Sequence, residues 1–278
     1  MKKQRFTVDS FLKAKKNDQK ISMLTAYDYS TAKLLDEAGV DSLLVGDSLG
    51  MVMLGYENTL QVTIEDMVHH CRAVSRGAER AMIIGDMPFL SYHISVEESV
   101  RNAGRLVQQG HVQAVKLEGG SNILDNVKAI VKAQIPVMGH LGLTPQSVNM
   151  FGGFKVQGRE EEQARKIAEE ALRLQDAGVF ALVLECVPEQ LAKIISGQLD
   201  IPTIGIGAGK YCDGQVLVMQ DMLGMYTDIT PKFVKKYADL SGAIKEAVTM
   251  YIDEMQTGVF PGKEHSFQMD AEVIAKLY

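Results

Sequence analysis

"QQGHVQAVKLEGG", residues 108–120, begins as the end of a helix, passes through a glycine and then alternates like a β-strand. The strand finishes with Lys116 and Glu118, and two glycines follow it. Residues i and i+2 lie on the same face of a strand, so Lys116 and Glu118 are expected to point the same way. The two side chains then either neutralise each other or share a third charged group.

The order helix end, glycine, apolar strand and acidic residue recurs in "EAGVDSLLVGDS" at 37–48 and "DAGVFALVLECV" at 176–187. This recurrence indicates a repeated βα module in which each glycine is the C-cap of a helix. Short apolar runs alternate with longer helical patterns from about residue 20 to about residue 260, which is typical of a parallel sheet. Eight strands are predicted, at residues 20–28, 40–48, 80–88, 111–119, 135–142, 179–187, 201–209 and 215–221.

Helical patterns fill most of the intervals between these strands. Thr63 is the expected N-cap of one helix, with Asp66 three residues on, and Pro188 is expected to open another. The interval between the seventh and eighth strands is too short for a full helix. The predicted helices span residues 29–39, 63–79, 95–110, 121–134, 159–178 and 188–197.

Eight parallel strands are the number that closes a barrel, so the sequence predicts an α/β fold of the (β/α)8 TIM-barrel type. A single domain of residues 1–278 is expected, because no linker, low-complexity run or composition shift divides the chain. Extra helices at about 231–258 would close the barrel, and the opening residues would plug its base. A doubly wound open sheet is the main alternative. The barrel is preferred because polar residues collect at too many strand ends.

The composition bounds the class of function. Hydrophobic residues at 46% and charged residues at 23% are typical of a globular protein, and the net charge of −6 argues against nucleic-acid binding. The N-terminus lacks the apolar core of a signal peptide and no window is apolar enough for a membrane span, so a cytoplasmic protein is expected. Three scattered cysteines without a CxxC pair favour reduced thiols. Cys186 is interpreted as core packing, with no cysteine on the side of the strand ends.

Polar residues stand at the carboxyl ends of the predicted strands, and these ends meet on one rim in a parallel barrel. Asp47, Asp86 and Glu118 would then converge without a matching number of cations. Such carboxylates repel each other and need a cation between them, and oxygen ligands suit a hard ion such as Mg²⁺. The candidate site residues are Asp47, Ser48, Asp86, Lys116, Glu118, His140 and Glu185.

Each of these residues also has a simpler explanation. An Asp that ends a strand is commonly a turn former or the N-cap of the next helix, and a Lys–Glu pair can be a plain ion pair. A lone histidine such as His140 is more often a hydrogen-bonded core residue than a catalyst. Glu185 is harder to explain in this way, because it ends the strongly apolar "VFALVLE", where desolvation favours a role as a base.

Two further stretches are interpreted structurally. The glycines of "IGIGAG" (204–209) are similar to a dinucleotide loop, but no helical segment follows, so they are assigned to a tight turn near bound ligand. The long glycine-containing loop at 141–159 is either a lid over the rim or an ordinary surface excursion.

The motifs "LTAYD", "VGDSLGMV", "GDMPF", "KLEGG", "MGHLGLTPQS", "LECVP" and "DGQVLVMQDMLG" stand in one order along the chain. In this order the sequence resembles the ketopantoate hydroxymethyltransferase (3-methyl-2-oxobutanoate hydroxymethyltransferase) family over nearly its whole length. The resemblance implies a (β/α)8 barrel and a homodecamer, a pentamer of dimers. It also implies the first step of pantothenate synthesis, in which a one-carbon unit passes from 5,10-methylenetetrahydrofolate to 3-methyl-2-oxobutanoate.

The resemblance also implies roles for residues. Asp47, Asp86 and Glu118 match the family's magnesium site, with one Mg²⁺ per subunit, and Glu185 matches the proton acceptor. The mechanism implied is loss of the C3 proton to an enolate stabilised by Mg²⁺. Gln61 stands where the family pattern has proline, which concerns only the stiffness of that loop. The residues that match the keto-acid site are Asp47, Ser48, Asp86 and Lys116, with His140 placed beside them as substrate-binding.

Two rival functions remain open at this stage. A magnesium-dependent barrel lyase or mutase acting on 2-oxo acids or phosphoenolpyruvate-like substrates would use a similar acidic rim. Such enzymes usually offer a nucleophilic cysteine or an arginine-rich anion site, which the predicted rim lacks. The second rival is a binding protein that kept the barrel but lost catalysis, and the presence of Glu185 argues against it.

Overall fold

A computed structural model describes residues 5–153, 155–228 and 230–277, apart from the side chain of Phe151. The chain divides into two compact units. The first comprises the described residues up to Gln220 together with Pro231–Val234, and the second comprises those of Asp221–Thr230 and of Lys235–Tyr278. No helix of the described residues is long and apolar enough to cross a membrane.

The first unit contains a closed barrel of eight parallel strands in chain order, with the last strand paired to the first. This topology confirms the predicted (β/α)8 TIM barrel and rules out the doubly wound open sheet. Every strand that the sequence predicted is present and is shorter than predicted, although β5 ends at the predicted residue and β8 begins one residue earlier than predicted. The strands are β1 Ile21–Thr25, β2 Ser42–Val45, β3 Met82–Asp86, β4 Ala114–Glu118, β5 Val137–Gly142, β6 Ala181–Glu185, β7 Thr203–Ile206 and β8 Gly214–Leu217.

The helices agree with the predicted positions to within a few residues, except at the C-terminal end. Only Leu240–Thr257 of the predicted stretch 231–258 is helical among the described residues. No described helix separates β7 from β8, as the short interval predicted. The helices are α1 Val8–Lys16, α2 Tyr29–Ala38, α3 Leu49–Val52, α4 Ile64–Gly77, α5 Val96–Gln108, α6 Leu124–Lys132, α7 Val148–Phe151, α8 Glu161–Asp176, α9 Glu189–Gln198, α10 Met219–Met222, α11 Leu240–Thr257 and α12 Ala271–Ile274.

Of the three predicted glycine C-caps, Gly39 is confirmed as the C-cap of α2, whereas the C-cap of α8 is Ala177, one residue before Gly178. Gly39 and Gly178 follow α2 and α8 with φ of 96° each, a left-handed conformation that glycine adopts without strain. After α5 the left-handed residue is His111 with φ of 61°, so the prediction for Gly110 was wrong. A Cβ at position 110 would lie 2.5 Å from the Leu106 carbonyl oxygen and 2.9 Å from Cys71 Cβ, so this glycine is required for close packing instead.

Apolar side chains from all eight strands fill the barrel, and the N-terminal helix α1 closes its amino end. Phe11 of α1 is fully buried in this core and packs edge-on against Phe180, with ring centroids 5.3 Å apart. Lys15 of the same helix forms an ion pair with Asp213 at 2.9 Å. These contacts show that the opening residues plug the base of the barrel, as predicted.

The second unit consists mainly of α11 and α12. The α11 helix begins at its N-cap Asp239, whose side chain accepts a hydrogen bond from the Gly242 backbone, and ends at Gly258 in a left-handed conformation. It has no buried residue. Its exposed large apolar side chains are Ile244, Val248, Met250, Tyr251, Ile252 and Met255.

Candidate active site at the carboxyl rim

The strand register places charged side chains of neighbouring strands side by side. Asp86 of β3 is paired in register with Lys116 of β4, and Glu118 of β4 is paired with His140 of β5. All four residues are buried, with no more than 4% of their surface exposed. Lys116 and Glu118 point the same way, as predicted, since Nζ of the lysine lies 3.9 Å from Oε1 of the glutamate. Their burial rules out a plain surface ion pair.

The three acidic residues converge as the sequence predicted. Oδ2 of Asp86 accepts a hydrogen bond from the Asp47 backbone N–H at 3.1 Å, which joins the ends of β2 and β3. Burial raises the pKa of the Asp47 carboxyl well above its ordinary value, and the nearby carboxylates of Glu118 and Asp86 raise it further. Burial also raises the pKa of Asp86, although Lys116 offsets part of that effect. Asp47 and Asp86 are therefore electrostatically strained and favour a positive charge beside them.

Lys116 supplies positive charge at the centre of this group. Its Nζ lies 3.0 Å from Oδ1 of Asp86 and 3.3 Å from Nδ1 of His140. Burial lowers the pKa of Lys116, but the carboxylates of Asp86, Glu118 and Asp47 outweigh burial and raise it above its ordinary value. The lysine is thus a permanent cation, well suited to hold an anionic group at the rim.

His140 lies between two glutamates. Its Nδ1 is 3.5 Å from Oε1 of Glu118, and its Nε2 is 3.3 Å from Oε2 of Glu185. Burial and Lys116 lower the pKa of His140, but the two carboxylates outweigh them and raise it to about 9. The Glu118 carboxylate is therefore shared between this ring and the Lys116 ammonium. Burial raises the pKa of Glu118, whereas His140 and Lys116 lower it to a net value below the ordinary one.

Glu185 and Ser48 complete the set of predicted site residues. Glu185 ends β6, and its side chain is 15% exposed, more than those of its buried neighbours, so a small substrate can reach it. Ser48 follows β2, and its Oγ lies 2.8 Å from the hydroxyl of Tyr27. The structure thus brings all seven predicted site residues to the same rim of the barrel.

Sequence reasoning missed two buried polar residues of this site, Gln146 and Tyr92. Gln146 lies in the loop 141–159, and it is buried beneath the rim with 6% of its surface exposed, whereas Met150 of the same loop is 89% exposed. The first part of this loop therefore packs into the rim; Phe154 of the same loop lies outside the described residues. Tyr92 lies in a turn and Gln146 in the single 3-10 turn Pro145–Ser147, and both segments are too short for a strand or helix period to mark a buried position. The sequence signal for Gln146 is its place within the motif MGHLGLTPQS, and the signal for Tyr92 is its place three residues after the motif GDMPF.

The interpretation of Cys186 as core packing was wrong. It directly follows β6 at the rim, is only partly buried, and has φ of 47°. The alternation of a strand, on which the interpretation depended, ends at Glu185, so it does not apply to the next residue. Burial and the Glu185 carboxylate raise the pKa of the Cys186 thiol to about 12, so it remains protonated and a poor nucleophile.

The rim carboxylates offer the donor set that a hard divalent cation prefers. Among the described residues no three His, Cys, Asp or Glu side chains are already arranged as a metal site, and the Lys116 ammonium supplies the charge that balances them. One oxygen of each carboxylate is held by a hydrogen bond, at Asp47 Oδ2, Asp86 Oδ2 and Glu118 Oε2. Asp86 Oδ1 is buried and faces the Lys116 ammonium at 3.0 Å without a hydrogen bond of good geometry, so a cation is already favoured at this oxygen.

A parallel eight-stranded barrel with buried acids, a lysine and a reachable glutamate on its carboxyl rim defines a barrel enzyme that handles small anionic substrates. The sequence matches the ketopantoate hydroxymethyltransferase family over residues 5–263. The chain belongs to this family.

Curated relatives agree with the family assignment. The chain is 61% identical to 3-methyl-2-oxobutanoate hydroxymethyltransferase of Clostridium novyi (strain NT) over 272 residues, which cover 98% of this chain and 99% of the relative. It is 63% identical to the enzyme of the same name from Acetivibrio thermocellus over 273 residues, covering 98% of this chain and 96% of the relative.

Solved structures with the same fold are more distant in sequence. A 2,3-dimethylmalate lyase of the PEP mutase/isocitrate lyase superfamily superposes with a TM-score of 0.58 at 14% identity, covering 97% of this chain and 94% of that chain. A phosphonopyruvate hydrolase in complex with oxalate and Mg²⁺ gives a TM-score of 0.60 at 10% identity, with the same coverages. At such identities the likeness concerns the fold alone.

Proposed function

We propose that the protein transfers a hydroxymethyl group from 5,10-methylenetetrahydrofolate to 3-methyl-2-oxobutanoate and forms ketopantoate, the first step of pantothenate synthesis. Family membership supports this reaction, and so do the relatives of about 60% identity that carry its name. The observation at the site that carries the proposal is the convergence of three buried carboxylates, a buried lysine and a reachable glutamate on one rim.

We propose Asp47, Asp86 and Glu118 as the residues that hold one Mg²⁺ per subunit. When bound there, the ion supplies Lewis-acid polarisation of the keto acid. Lys116 lies between Asp86 and Glu118 and is the nearest permanent cation, so it would hold the substrate carboxylate. Ser48, with its hydroxyl fixed by Tyr27, would orient the same substrate through a hydrogen bond.

Glu185 is the proposed base. It breaks the C3–H bond of the keto acid by taking the proton, and the electron pair remains in the C2–C3 bond of the resulting enolate. The enolate carbon then bonds to the methylene carbon as the bond of that carbon to one folate nitrogen breaks. Water adds its hydroxyl to the same carbon as the bond to the second folate nitrogen breaks. The proton taken from C3 and the remaining proton of water end on the two nitrogens, and tetrahydrofolate leaves. His140 faces the glutamate, with its Nε2 3.3 Å from Glu185 Oε2. His140 also lies within reach of the substrate carboxylate beside Lys116, which supports its role in substrate binding.

The assembly and location of the enzyme are also proposals. We propose a homodecamer, a pentamer of dimers, located in the cytoplasm. The exposed apolar residues of α11, such as Val248 and Tyr251, give this helix a surface that self-association would bury.

Hydrogen exchange at C3 of the keto acid tests the enolate step without folate. The protein is incubated in D2O with 3-methyl-2-oxobutanoate and Mg²⁺, and proton NMR follows the C3 signal. We expect deuterium to replace the single C3 hydrogen, no replacement after chelation of Mg²⁺, and ketopantoate once 5,10-methylenetetrahydrofolate is added. Absence of exchange with folded, cation-loaded protein would contradict the proposed reaction.

A further inference from the structure

Gln146 holds two of the three rim carboxylates at once, through different groups. Its backbone N–H donates to Oε2 of Glu118 at 3.0 Å. Its side-chain Nε2 donates to Oδ2 of Asp47 at 2.8 Å and to the Met87 carbonyl oxygen at 2.9 Å. Both N–H bonds of the amide are used, so the side chain has no remaining donor that could bind another group.

Tyr92 fixes the orientation of this amide from the other side. Its hydroxyl lies 2.8 Å from Oε1 of Gln146 and 3.0 Å from the Glu118 carbonyl oxygen, and its single proton serves one of them at a time. The Glu118 backbone N–H donates back to the same hydroxyl at 3.2 Å. If the Gln146 amide were flipped, its carbonyl oxygen would face the Asp47 carboxylate and the Met87 carbonyl. Only one orientation therefore satisfies all of these groups.

The hydrogen bonds of Gln146 determine which carboxylate oxygens of Asp47 and Glu118 are left for other partners. Gln146 occupies Oδ2 of Asp47 and Oε2 of Glu118, so Oδ1 and Oε1 are the oxygens left to face other partners. Oε1 of Glu118 already faces the Lys116 ammonium at 3.9 Å. A glutamine held rigidly by four groups thus sets the direction in which two acids from different strands present their remaining oxygens.

We infer that Gln146, anchored by Tyr92, is the positioning residue that aims Asp47 and Glu118 at a shared divalent cation. This inference depends on the cation site in the proposed function. Neither residue touches the substrate in this role. Gln146 acts through the carboxylates, so its loss weakens cation binding before any chemistry begins.

Binding of Mn²⁺ to the full-length, substrate-free protein tests the inference directly, with electron paramagnetic resonance to count free and bound ion. The variant Gln146→Met keeps the length of the side chain and the backbone N–H, but removes the hydrogen bonds to Asp47 and Tyr92. We expect Mn²⁺ affinity to fall about 10- to 100-fold, which is typical when the partner of a metal-binding carboxylate is lost. KM for the keto acid should rise with it, and saturating Mn²⁺ should restore most of kcat.

Gln113→Met is the matched control. Gln113 also uses both ends of its amide, accepting from the Ile83 backbone N–H and donating to the His111 carbonyl oxygen, each at 2.9 Å. It lies just before β4, at the opposite end of the barrel from the rim. We expect it to lower thermal stability as Gln146→Met does while leaving Mn²⁺ affinity unchanged.

The outcomes separate this inference from the proposed function. Wild-type protein that binds no Mn²⁺ would contradict the proposed cation site itself. Wild-type protein that binds Mn²⁺, together with a Gln146→Met variant that binds it equally well or loses no more affinity than Gln113→Met, would overturn the positioning role alone. If Gln146→Met does not fold, Tyr92→Phe decides, because it removes only the anchoring hydroxyl. We expect weaker Mn²⁺ binding in that variant, and unchanged affinity would overturn the inference.

Discussion

His140 and Glu185 lie two positions apart in the register of β5 and β6, yet His140 Nε2 is 3.3 Å from Glu185 Oε2. The other ring nitrogen of His140 is 3.5 Å from Oε1 of Glu118. One imidazole therefore connects the proposed base with a proposed cation ligand. The two ring nitrogens therefore face carboxylates of different strands, and the ring lies between Glu118 and Glu185.

The first prediction concerns Glu185 itself. Glu185→Gln keeps the shape of the side chain and its contact with His140 but removes the ability to accept a proton. We expect kcat to fall by about 10²- to 10⁴-fold, the usual contribution of a general base. The dissociation constant for 3-methyl-2-oxobutanoate, measured by calorimetry with Mg²⁺ present, should change little.

Glu189→Gln serves as the control for this substitution. Glu189 begins α9, only four positions along the chain, and is partly exposed. We expect its kcat to match that of the wild type. An unchanged kcat in Glu185→Gln would remove Glu185 from the role of base.

The second prediction concerns the charge balance at the rim. Lys116→Met removes the ammonium that lies 3.0 Å from Asp86 and leaves buried carboxylates without it. Breaking a buried ion pair in this way costs about 3–5 kcal/mol of unfolding free energy. We expect a lower Tm in the presence of a chelator and a larger rise in Tm on adding Mg²⁺ than the wild type shows. Equal Mg²⁺-induced shifts in both proteins would contradict this charge balance.

The sequence was sufficient to predict the barrel and the polar residues of its rim, and the reason is physical. Parallel strands covered by helices are continuous apolar runs, so their ends are marked by the first polar residue, as at Asp86 and Glu185. Because the carboxyl ends of parallel strands meet at one rim, these first polar residues also indicate where a functional site lies. The convergence of Asp47, Asp86 and Glu118 follows from the same rule, and hydrogen bonds confirm it, since they link Asp47 to Asp86 directly and to Glu118 through Gln146.

The site residues that the sequence did not predict lie in segments too short or too irregular to show a strand or helix period. Gln146 lies in a single 3-10 turn and Tyr92 in a turn, and in such short segments burial is set by tertiary contacts and leaves no period in the sequence. The interpretation of Cys186 as core packing failed for a related reason, because its left-handed backbone ends the alternation of the strand at the rim. The contacts that fix the orientations of the rim side chains therefore needed the structure.

The third prediction uses this left-handed residue. A β-branched side chain is strongly disfavoured at a φ of 47°, whereas glycine adopts it freely. We expect Cys186→Val to lower the unfolding free energy by about 1–3 kcal/mol and to displace Glu185, with a lower kcat. Cys186→Gly should keep both stability and kcat near the wild-type values. Urea unfolding compares the two, and equal stabilities would contradict strain at this position.

The fourth prediction concerns Gly142, the last residue of β5, with φ of 95°. A Cβ there would lie 2.2 Å from the Glu185 carbonyl oxygen, a distance that no real Cβ tolerates. We expect Gly142→Ala to lower the unfolding free energy by about 2 kcal/mol or more and to reduce kcat, because the backbone that carries the base must move.

Gly104→Ala is the matched control for that glycine. Gly104 lies inside α5, and a Cβ there meets nothing within 4 Å. Alanine is the better helix former, so this variant should gain about 0.5–1 kcal/mol of stability with unchanged kcat. A Gly142→Ala variant that is as stable and as active as Gly104→Ala would show that the close approach to Glu185 is unimportant.

The fifth prediction is a pH dependence in the second unit. Burial raises the pKa of Asp221 to about 6, although Lys236 offsets part of the effect. The folded protein thus binds a proton on Asp221 more tightly than the unfolded chain, whose aspartate pKa is about 3.9. Between about pH 4 and pH 6 the unfolding free energy therefore falls as pH rises, because folding keeps an ionised carboxylate out of water.

Asp221→Asn removes this cost. We expect the variant to be more stable than the wild type by about 1 kcal/mol at pH 7, after allowance for screening by solvent, and equally stable near pH 4. Thermal unfolding across this range measures the difference, and a stability gain that does not change with pH would exclude Asp221 titration as its cause.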